Sequence, residues 1–397
     1  MDTILSKYYN KTPRPFHAGA LTAYNAQGDA IYSSIKGTQT ADPAGPALTE
    51  DSIFWVASLT KIVTAVAVMI VVERGLISLD DDVGQVVPEL AAPEVLSGFD
   101  EDGKPIVNRT EKKLTLRHLL THTSGFTYSV MSENLQEWAA YHGRNIDHTQ
   151  GTYESITYPL IFEPGEDWRY GPGVDWAGRV GHMQVEVLSG KRLGEFIHEN
   201  ICGPLNLQST TFHPETLPNF EKRKVEIALR DGDGSLKATK EIFPLPTPDD
   251  LGGGSLYSTP REFTKFLSAL LAGGRGIIEP ESVDEIFRPQ LPEAVRITLN
   301  QQINMPAAQG MKWMFTTGDQ IDFGLGVSVT VSDVPDGRAH GTVSWGGHTN
   351  THFWIDRKTG VCATSFFQHL PPSDPQVIGL RDEFETELYK QIRHTKP

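Results

Sequence analysis

The sequence predicts an α/β protein of the α+β kind: one central antiparallel sheet built from both chain ends, flanked by helices, with a mainly helical lobe inserted. Three observations point there. Two short runs rich in β-branched and aromatic residues, Ala18 to Asn25 and Ala30 to Lys36, are separated only by Ala26-Gln-Gly-Asp29, the pattern of an antiparallel hairpin. Four further runs crowd the other end: Phe323 to Val331, Ala339 to Trp345, Thr351 to Asp356 and Val361 to Gln368. They alternate or run apolar between turns, as consecutive strands do. Between the two ends the periodicity is mostly helical, beginning with the apolar run Ile62 to Val72.

Taken in order, a short N-terminal helix precedes the first hairpin. The next helix, about Leu59 to Glu73, is apolar on all sides, as a helix inside a core must be, and Gly75 supplies its stop signal. From Leu79 to Lys104 the chain is polar, proline-punctuated and loop-like, with one short helix near Val83. Leu114 to Leu120 reads as a helix ended by Thr123-Ser-Gly125, and Gly178 to Leu188 and Leu193 to Ile201 read as amphipathic helices. Pro214 to Asp250 is charged and without period, a surface excursion. The turn cluster Gly252-Gly-Gly-Ser-Leu-Tyr-Ser-Thr-Pro260 opens a helix to Leu271, with proline at its start. A last helix covers Asp374 to Arg393. The expected division assigns residues 1–78 and 190–397 to the sheet-bearing domain and 79–189 to the inserted lobe.

A chain of 397 residues has room for two lobes, and 39% apolar residues with 26 prolines and 37 glycines is ordinary globular composition. The net charge is −15, from 50 acidic against 35 basic residues. That disfavours nucleic acid and anionic membrane as partners, since both need clustered lysine and arginine. Ile62 to Val72 falls well short of the ~20 residues that cross a bilayer. Met1 to Lys7 carries no basic-then-apolar leader. Cys202 and Cys362 are the only cysteines, too few for a disulfide framework or a zinc site. A cytoplasmic location is expected.

The chemistry starts at Ser58-Leu-Thr-Lys61. A serine hydroxyl is a weak nucleophile until a base takes its proton, and a lysine three residues on shares its helical face. This S-x-x-K spacing is a serine-nucleophile signature. Ser58 follows the strand-like Ile53-Phe-Trp-Val56 and falls at the first helical turn, where free N–H groups and the helix dipole favour negative charge. An ordinary helix N-cap is the structural alternative. A second match, Ser33-Ser-Ile-Lys36, lies in a strand, where a spacing of three sends the side chains to opposite faces. Tyr170 sits in the Gly/Pro loop Pro164 to Trp176, just ahead of a helix. In Leu119-Leu-Thr-His-Thr-Ser-Gly125, His122 reads as a structural hydrogen-bonder. Ser344-Trp-Gly-Gly-His348 ends a strand, where glycines admit a substrate close to the backbone and free N–H groups can hold an oxyanion.

Together these strings, with Gly253-Gly-Ser-Leu-Tyr-Ser-Thr259, resemble in order and over most of the chain the serine enzymes of the class C β-lactamase and penicillin-binding-protein fold. Within that group the sequence is most similar to fungal acyltransferases of the lovastatin-pathway type and their family VIII-like esterase cousins. Glu199-Asn-Ile-Cys-Gly-Pro-Leu205 and Cys362-Ala-Thr-Ser-Phe-Phe-Gln368 carry that likeness. The resemblance implies a β-lactamase/transpeptidase-like fold with Ser58 as nucleophile, Lys61 as its proton partner and Tyr170 as general base and acid. It also implies an oxyanion hole made by the N–H groups of Ser58 and His348. No cofactor or metal is implied. The partners implied are a small-molecule acyl donor, an ester or a thioester on CoA or an acyl carrier domain, and an alcohol or water acceptor. Two proton routes stay open. A free lysine titrates near ~10.4 and a free phenol near ~10. Either a desolvated neutral Lys61 takes the proton of Ser58, or a charged Lys61 favours a Tyr170 phenolate that does.

Two departures bear on substrate. Where penicillin-recognising enzymes carry Tyr-x-Asn, this chain has Tyr170-Gly-Pro172; where they carry Lys-Thr-Gly, it has Trp345-Gly346-Gly347. A literal Lys358-Thr-Gly360 reads as a hairpin turn. Trp345 and Trp55, beside Gly346 and Gly347, point to an apolar acyl pocket, with core packing as the alternative for Trp55. The expected activity is ping-pong acyl transfer through acyl-Ser58 to an alcohol in secondary metabolism. Ester hydrolysis comes second, β-lactam or D-amino-peptide cleavage third, and a non-catalytic binding protein last.

Overall fold

A seven-stranded antiparallel sheet organises the computed structural model, which describes residues 3–180, 191–304 and 320–395. Its strands are β1 (Ala18–Asn25), β2 (Ala30–Gly37), β3 (Ile321–Phe323), β4 (Ser328–Thr330), β5 (Val343–Gly347), β6 (Thr351–Asp356) and β7 (Val361–Phe367). They lie in the order β2-β1-β7-β6-β5-β4-β3. The two chain ends meet inside the sheet, β1 pairing antiparallel with β7 from Gly19 opposite Phe367 to Asn25 opposite Val361. The expected sheet from both termini is therefore present.

Each strand serves two cores because successive side chains point to opposite faces. On one face Leu21, Ala23, Val361, Ala363 and Phe367 pack with α1 (Ile4–Tyr9) and the C-terminal helix, whose Leu380 and Phe384 join the same cluster. On the other, Ala20, Cys362 and Phe366 pack with α2 (Thr60–Glu73) and α3 (Pro260–Leu271). The C-terminal helix, α4, runs Pro375–Thr395. Residues Thr60 to Val71 of α2 are all buried, which explains the apolar run. Among the described residues no helix is long and apolar enough to cross a membrane.

Some expectations change. The run expected as one strand from Phe323 to Val331 is two, because Gly324-Leu-Gly326 turns between them; Gly326 has φ +75 and donates its N–H to Leu120 O. The strand expected from Ala339 begins at Val343. The loop-like polar stretch holds a hairpin, Glu94–Phe99 against Pro105–Arg109, whose turn closes on Asp100 Oδ1. The excursion before Asp250 contains a ribbon, Ala228–Arg230 with Leu236–Ala238, that lies parallel to His369–Leu370. Lys358-Thr-Gly360 is the β6–β7 hairpin turn, with Lys358 exposed and paired to Asp333. The helix expected over Gly178 to Leu188 falls outside the described residues beyond 180.

Candidate active site

The short ribbon Phe54–Trp55 against Tyr257–Ser258 delivers the chain to Ser58, and Val56 N–H donates to Leu256 O at 3.0 Å. Ser58 lies in a tight 3-10 turn, Ala57–Leu59, and α2 proper starts two residues later. Ala57 has φ +47, a left-handed conformation that costs a residue with a Cβ ~1–2 kcal/mol. Thr60 holds that turn: its hydroxyl donates to Ala57 O at 2.6 Å and accepts the Leu256 N–H at 3.2 Å. Lys61, wholly buried, then points back along the helix. Its Nζ donates to Ser58 Oγ at 3.3 Å, to the Tyr128 phenol at 3.4 Å and to Gly253 O at 2.6 Å.

Tyr170 completes the convergence. Its phenol oxygen is 2.6 Å from Ser58 Oγ, and Lys61 Nζ stands 4.8 Å from its ring centre. The glycines flanking Pro172 explain the placement. A Cβ on Gly171 would strike the backbone at Phe126 and Thr127, and one on Gly173 would strike Leu119 O, so the loop lies directly on these segments. Thr127 Oγ1 also donates to Tyr170 O at 3.1 Å. Behind the phenol ring is an aromatic box: His122 at 4.9 Å and Trp345 at 5.5 Å between centroids, with Phe323 packed on both. His122, expected as a hydrogen-bonder, has neither ring nitrogen hydrogen-bonded among the described residues. Burial, helped by the nearby Lys61 charge, pushes its pKa well below the usual range and keeps it neutral.

The other expected site residues divide. Trp345 does not line the acyl pocket: it is fully buried and backs Tyr170, because β5 presents that side chain to the core. Gly346 and Gly347 are buried too, and β5 passes so close to the Ser58 turn that a Cβ on Gly347 would strike Val56 O and Thr351 Oγ1. His348 follows at the exposed rim and lines the cleft. Trp55 is both core and wall; its Nε1 donates to Gly254 O at 2.6 Å while its ring borders the cavity beside Phe243. The cleft has a volume of about 140 Å³ and is walled by Trp55, Tyr128, Met131, His148, Ile242 and Phe243 above Ser58. Burial lowers the His148 pKa to about 4 against the opposing pull of Asp147, so this wall is uncharged at neutral pH.

Several of these residues escape a reading of sequence alone. Ile242 and Phe243 are isolated apolar residues in the excursion, and only their long-range contacts bring them to the cleft. Tyr128, His148 and Asp175 carry no spacing signal. A hint was available for Asp175, an acid at the opening of an apolar helix five residues past Tyr170. Its side chain is buried, and its Oδ1 accepts the Gly253 N–H at 2.8 Å.

The chain resembles known proteins throughout. Lovastatin esterase from Penicillium rubens is 31% identical over 383 residues, 94% of each chain. Monacolin J acid methylbutanoyltransferase from Aspergillus terreus is 31% identical over 388 residues, 96% of this chain and 93% of that one. Unliganded simvastatin synthase (LovD) from Aspergillus terreus superposes with a TM-score of 0.90 at 30% identity, covering 100% of this chain and 98% of that one. EstCE1, a hydrolase with promiscuous acyltransferase activity, shares the fold at a TM-score of 0.73 and 17% identity, covering 96% of each chain. The beta-lactamase family pattern matches residues 15–386. With nearly its whole length matched, this chain belongs to the beta-lactamase family.

Proposed function

We propose that the protein is a serine acyltransferase that carries its acyl group on Ser58 and delivers it to the alcohol of a small molecule. One observation carries this reading: Ser58 Oγ lies 2.6 Å from the Tyr170 phenol and 3.3 Å from Lys61 Nζ at the floor of an open cleft. Ser58 Oγ bonds to the carbonyl carbon of an ester or thioester while Tyr170 takes its proton. Tyr170 then gives that proton to the departing alkoxide or thiolate. In the second half the acceptor hydroxyl attacks acyl-Ser58, and its proton returns through Tyr170 to Ser58 Oγ. The N–H groups of Ser58 and His348 hold the oxyanion, a role supported by the close passage of β5 beside the nucleophile turn. CoA or an acyl carrier domain is the thioester source we favour. Residues 79–189, which supply Tyr128, His148 and Tyr170, act as the lobe over a domain of residues 1–78 and 190–397. We place the enzyme in the cytoplasm, consistent with two buried free thiols, Cys202 and Cys362.

Water is the second possible acceptor. An esterase and a transferase share the same 31% identity with this chain, so likeness does not choose between them. The cleft favours an alcohol. Trp55, Ile242 and Phe243 offer apolar walls, and Val130 and Met131 stand 70% and 50% exposed at its mouth, a surface for a carbon framework. A β-lactam fits poorly: Pro172 replaces an amide, no lysine lies on β5, and Lys358 is tied to Asp333 at the surface. The test supplies a butyryl thioester with and without alcohols of graded size and follows products by mass spectrometry. We expect an acyl adduct on the Ser58 peptide and ester product with an apolar alcohol. Free acid alone with every alcohol would leave a hydrolase, and undiminished turnover by Ser58→Ala would remove Ser58 from the reaction.

A further inference from the structure

We propose that Asp175 is a positioning residue: through the Tyr128 phenol and the Gly253 backbone it holds Lys61 as a proton donor, so that the Ser58 proton goes to Tyr170. The inference rests on the acyl-Ser58 reading and deepens it. Asp175 lies in the first turn of the helix that starts at residue 173, with its side chain buried. Its Oδ1 accepts the Gly253 N–H at 2.8 Å, and the Tyr128 phenol faces the same carboxylate. The fit is tight, because a Cβ on Gly253 would run into the carboxylate. Gly253 is thus held by Asp175 at its N–H and by Lys61 Nζ at its carbonyl, 2.6 Å away.

The direction of each hydrogen bond follows from the donors present. Tyr128 Oη accepts from Lys61 Nζ, which leaves its single proton free to turn to the Asp175 carboxylate, a group that only accepts. What Tyr128 then turns toward Lys61 Nζ, 3.4 Å away, is an oxygen lone pair. Gly253 O is likewise an acceptor, and Ser58 Oγ is the third neighbour. An ammonium has three N–H groups, and here they meet three acceptors. A neutral amine would need a donor for its lone pair. The one remaining, the Ser58 hydroxyl, is engaged at the shorter distance with Tyr170. Burial pushes the Asp175 pKa up and the nearby Lys61 charge opposes it, so the carboxylate depends on Lys61 as its counter-charge. The other titratable groups facing Asp175 are the phenols of Tyr128, Tyr153 and Tyr158; those facing Lys61 include Tyr128, Tyr170, His122 and His148.

The experiment compares pH–rate profiles for p-nitrophenyl butyrate in the wild type, Asp175→Asn and Tyr128→Phe. Asp175→Asn conserves shape and removes the charge. It should lower kcat by about 10²-fold, the low end of what general acid–base assistance contributes, with KM little changed. The alkaline limb should move to lower pH, because the substitution removes an anion from the hydrogen-bonded cluster around Ser58. Tyr128→Phe takes an acceptor from the ammonium and should move the limb the same way by less. Asp175→Asn should then cost less in the Tyr128→Phe background than in the wild type. A profile for Asp175→Asn that superimposes on the wild type after scaling overturns the proposal, since a purely structural role does not move it. If that variant fails to fold, an unmoved Tyr128→Phe profile overturns it equally. Absence of an acyl-Ser58 adduct in the wild type would instead defeat the functional reading beneath.

Discussion

The proton on Ser58 has few places to go, and residue-scale geometry ranks them. The phenol of Tyr170 is 0.7 Å nearer to Ser58 Oγ than Lys61 Nζ is, 2.6 against 3.3 Å. Removing that one oxygen in Tyr170→Phe leaves the ring packed on His122 and Trp345, so folding should persist. Turnover of p-nitrophenyl butyrate should nonetheless fall by roughly 10⁴-fold, as members of a catalytic unit cannot substitute for one another. Steady-state kinetics beside a thermal melt checks both halves. Retained turnover would move the base to Lys61. Ser58 and Lys61 were legible as a candidate pair from their spacing, and Tyr170 from the family resemblance of its loop. The neutral His122 was not, since its state depends on burial among rings from distant segments.

Among the elements, the C-terminal helix α4 shows what ties a covering helix to the sheet. Arg338, in the β4–β5 connection, donates from Nε and Nη2 to the two carboxylate oxygens of Glu385 on α4, at 2.8 and 2.7 Å. Both side chains are buried. Removing one partner strands the other, and Arg338→Ala should cost about 3–5 kcal/mol in urea unfolding. Arg338→Ala together with Glu385→Leu should recover part of that loss; no recovery would show that the pair acts through packing alone. Strand and helix types were readable from period and composition. Their interruptions were not: the turn at Gly324-Leu-Gly326 depends on a hydrogen bond to Leu120, more than two hundred residues away in sequence. The hairpin at Glu94–Phe99 is short and largely solvent-facing, so its alternation carried little apolar signal.

For the whole molecule, folding buries many histidines in the neutral form. Burial lowers the His17 pKa to about 3, with His369 as a neighbour that would repel a second proton, and burial lowers His148 to about 4. His122, His352 and His369 are shifted in the same direction, first of all by burial. The sign follows. Below the free histidine value of ~6.5 the unfolded chain takes protons that the folded one refuses, so their stability contribution is present above that pH and declines as pH falls toward 3. The melting temperature should drop steadily between pH 6.5 and 4 in calorimetry at constant ionic strength. A flat profile over that window would contradict the buried neutral state.

Local sequence determined most of the strands and helices, that the two ends share one sheet, and which serine and lysine stand three apart on one helical face, because period, spacing and turn residues are properties of neighbours along the chain. The tertiary structure alone decided that Trp345 stands behind Tyr170, that Ile242 and Phe243 wall the cleft, and that Asp175 and Lys61 bond to the two sides of Gly253. Those facts depend on burial and on which distant segments touch. Burial also sets charge state, since the energy of an ionised group depends on the dielectric and partners around it.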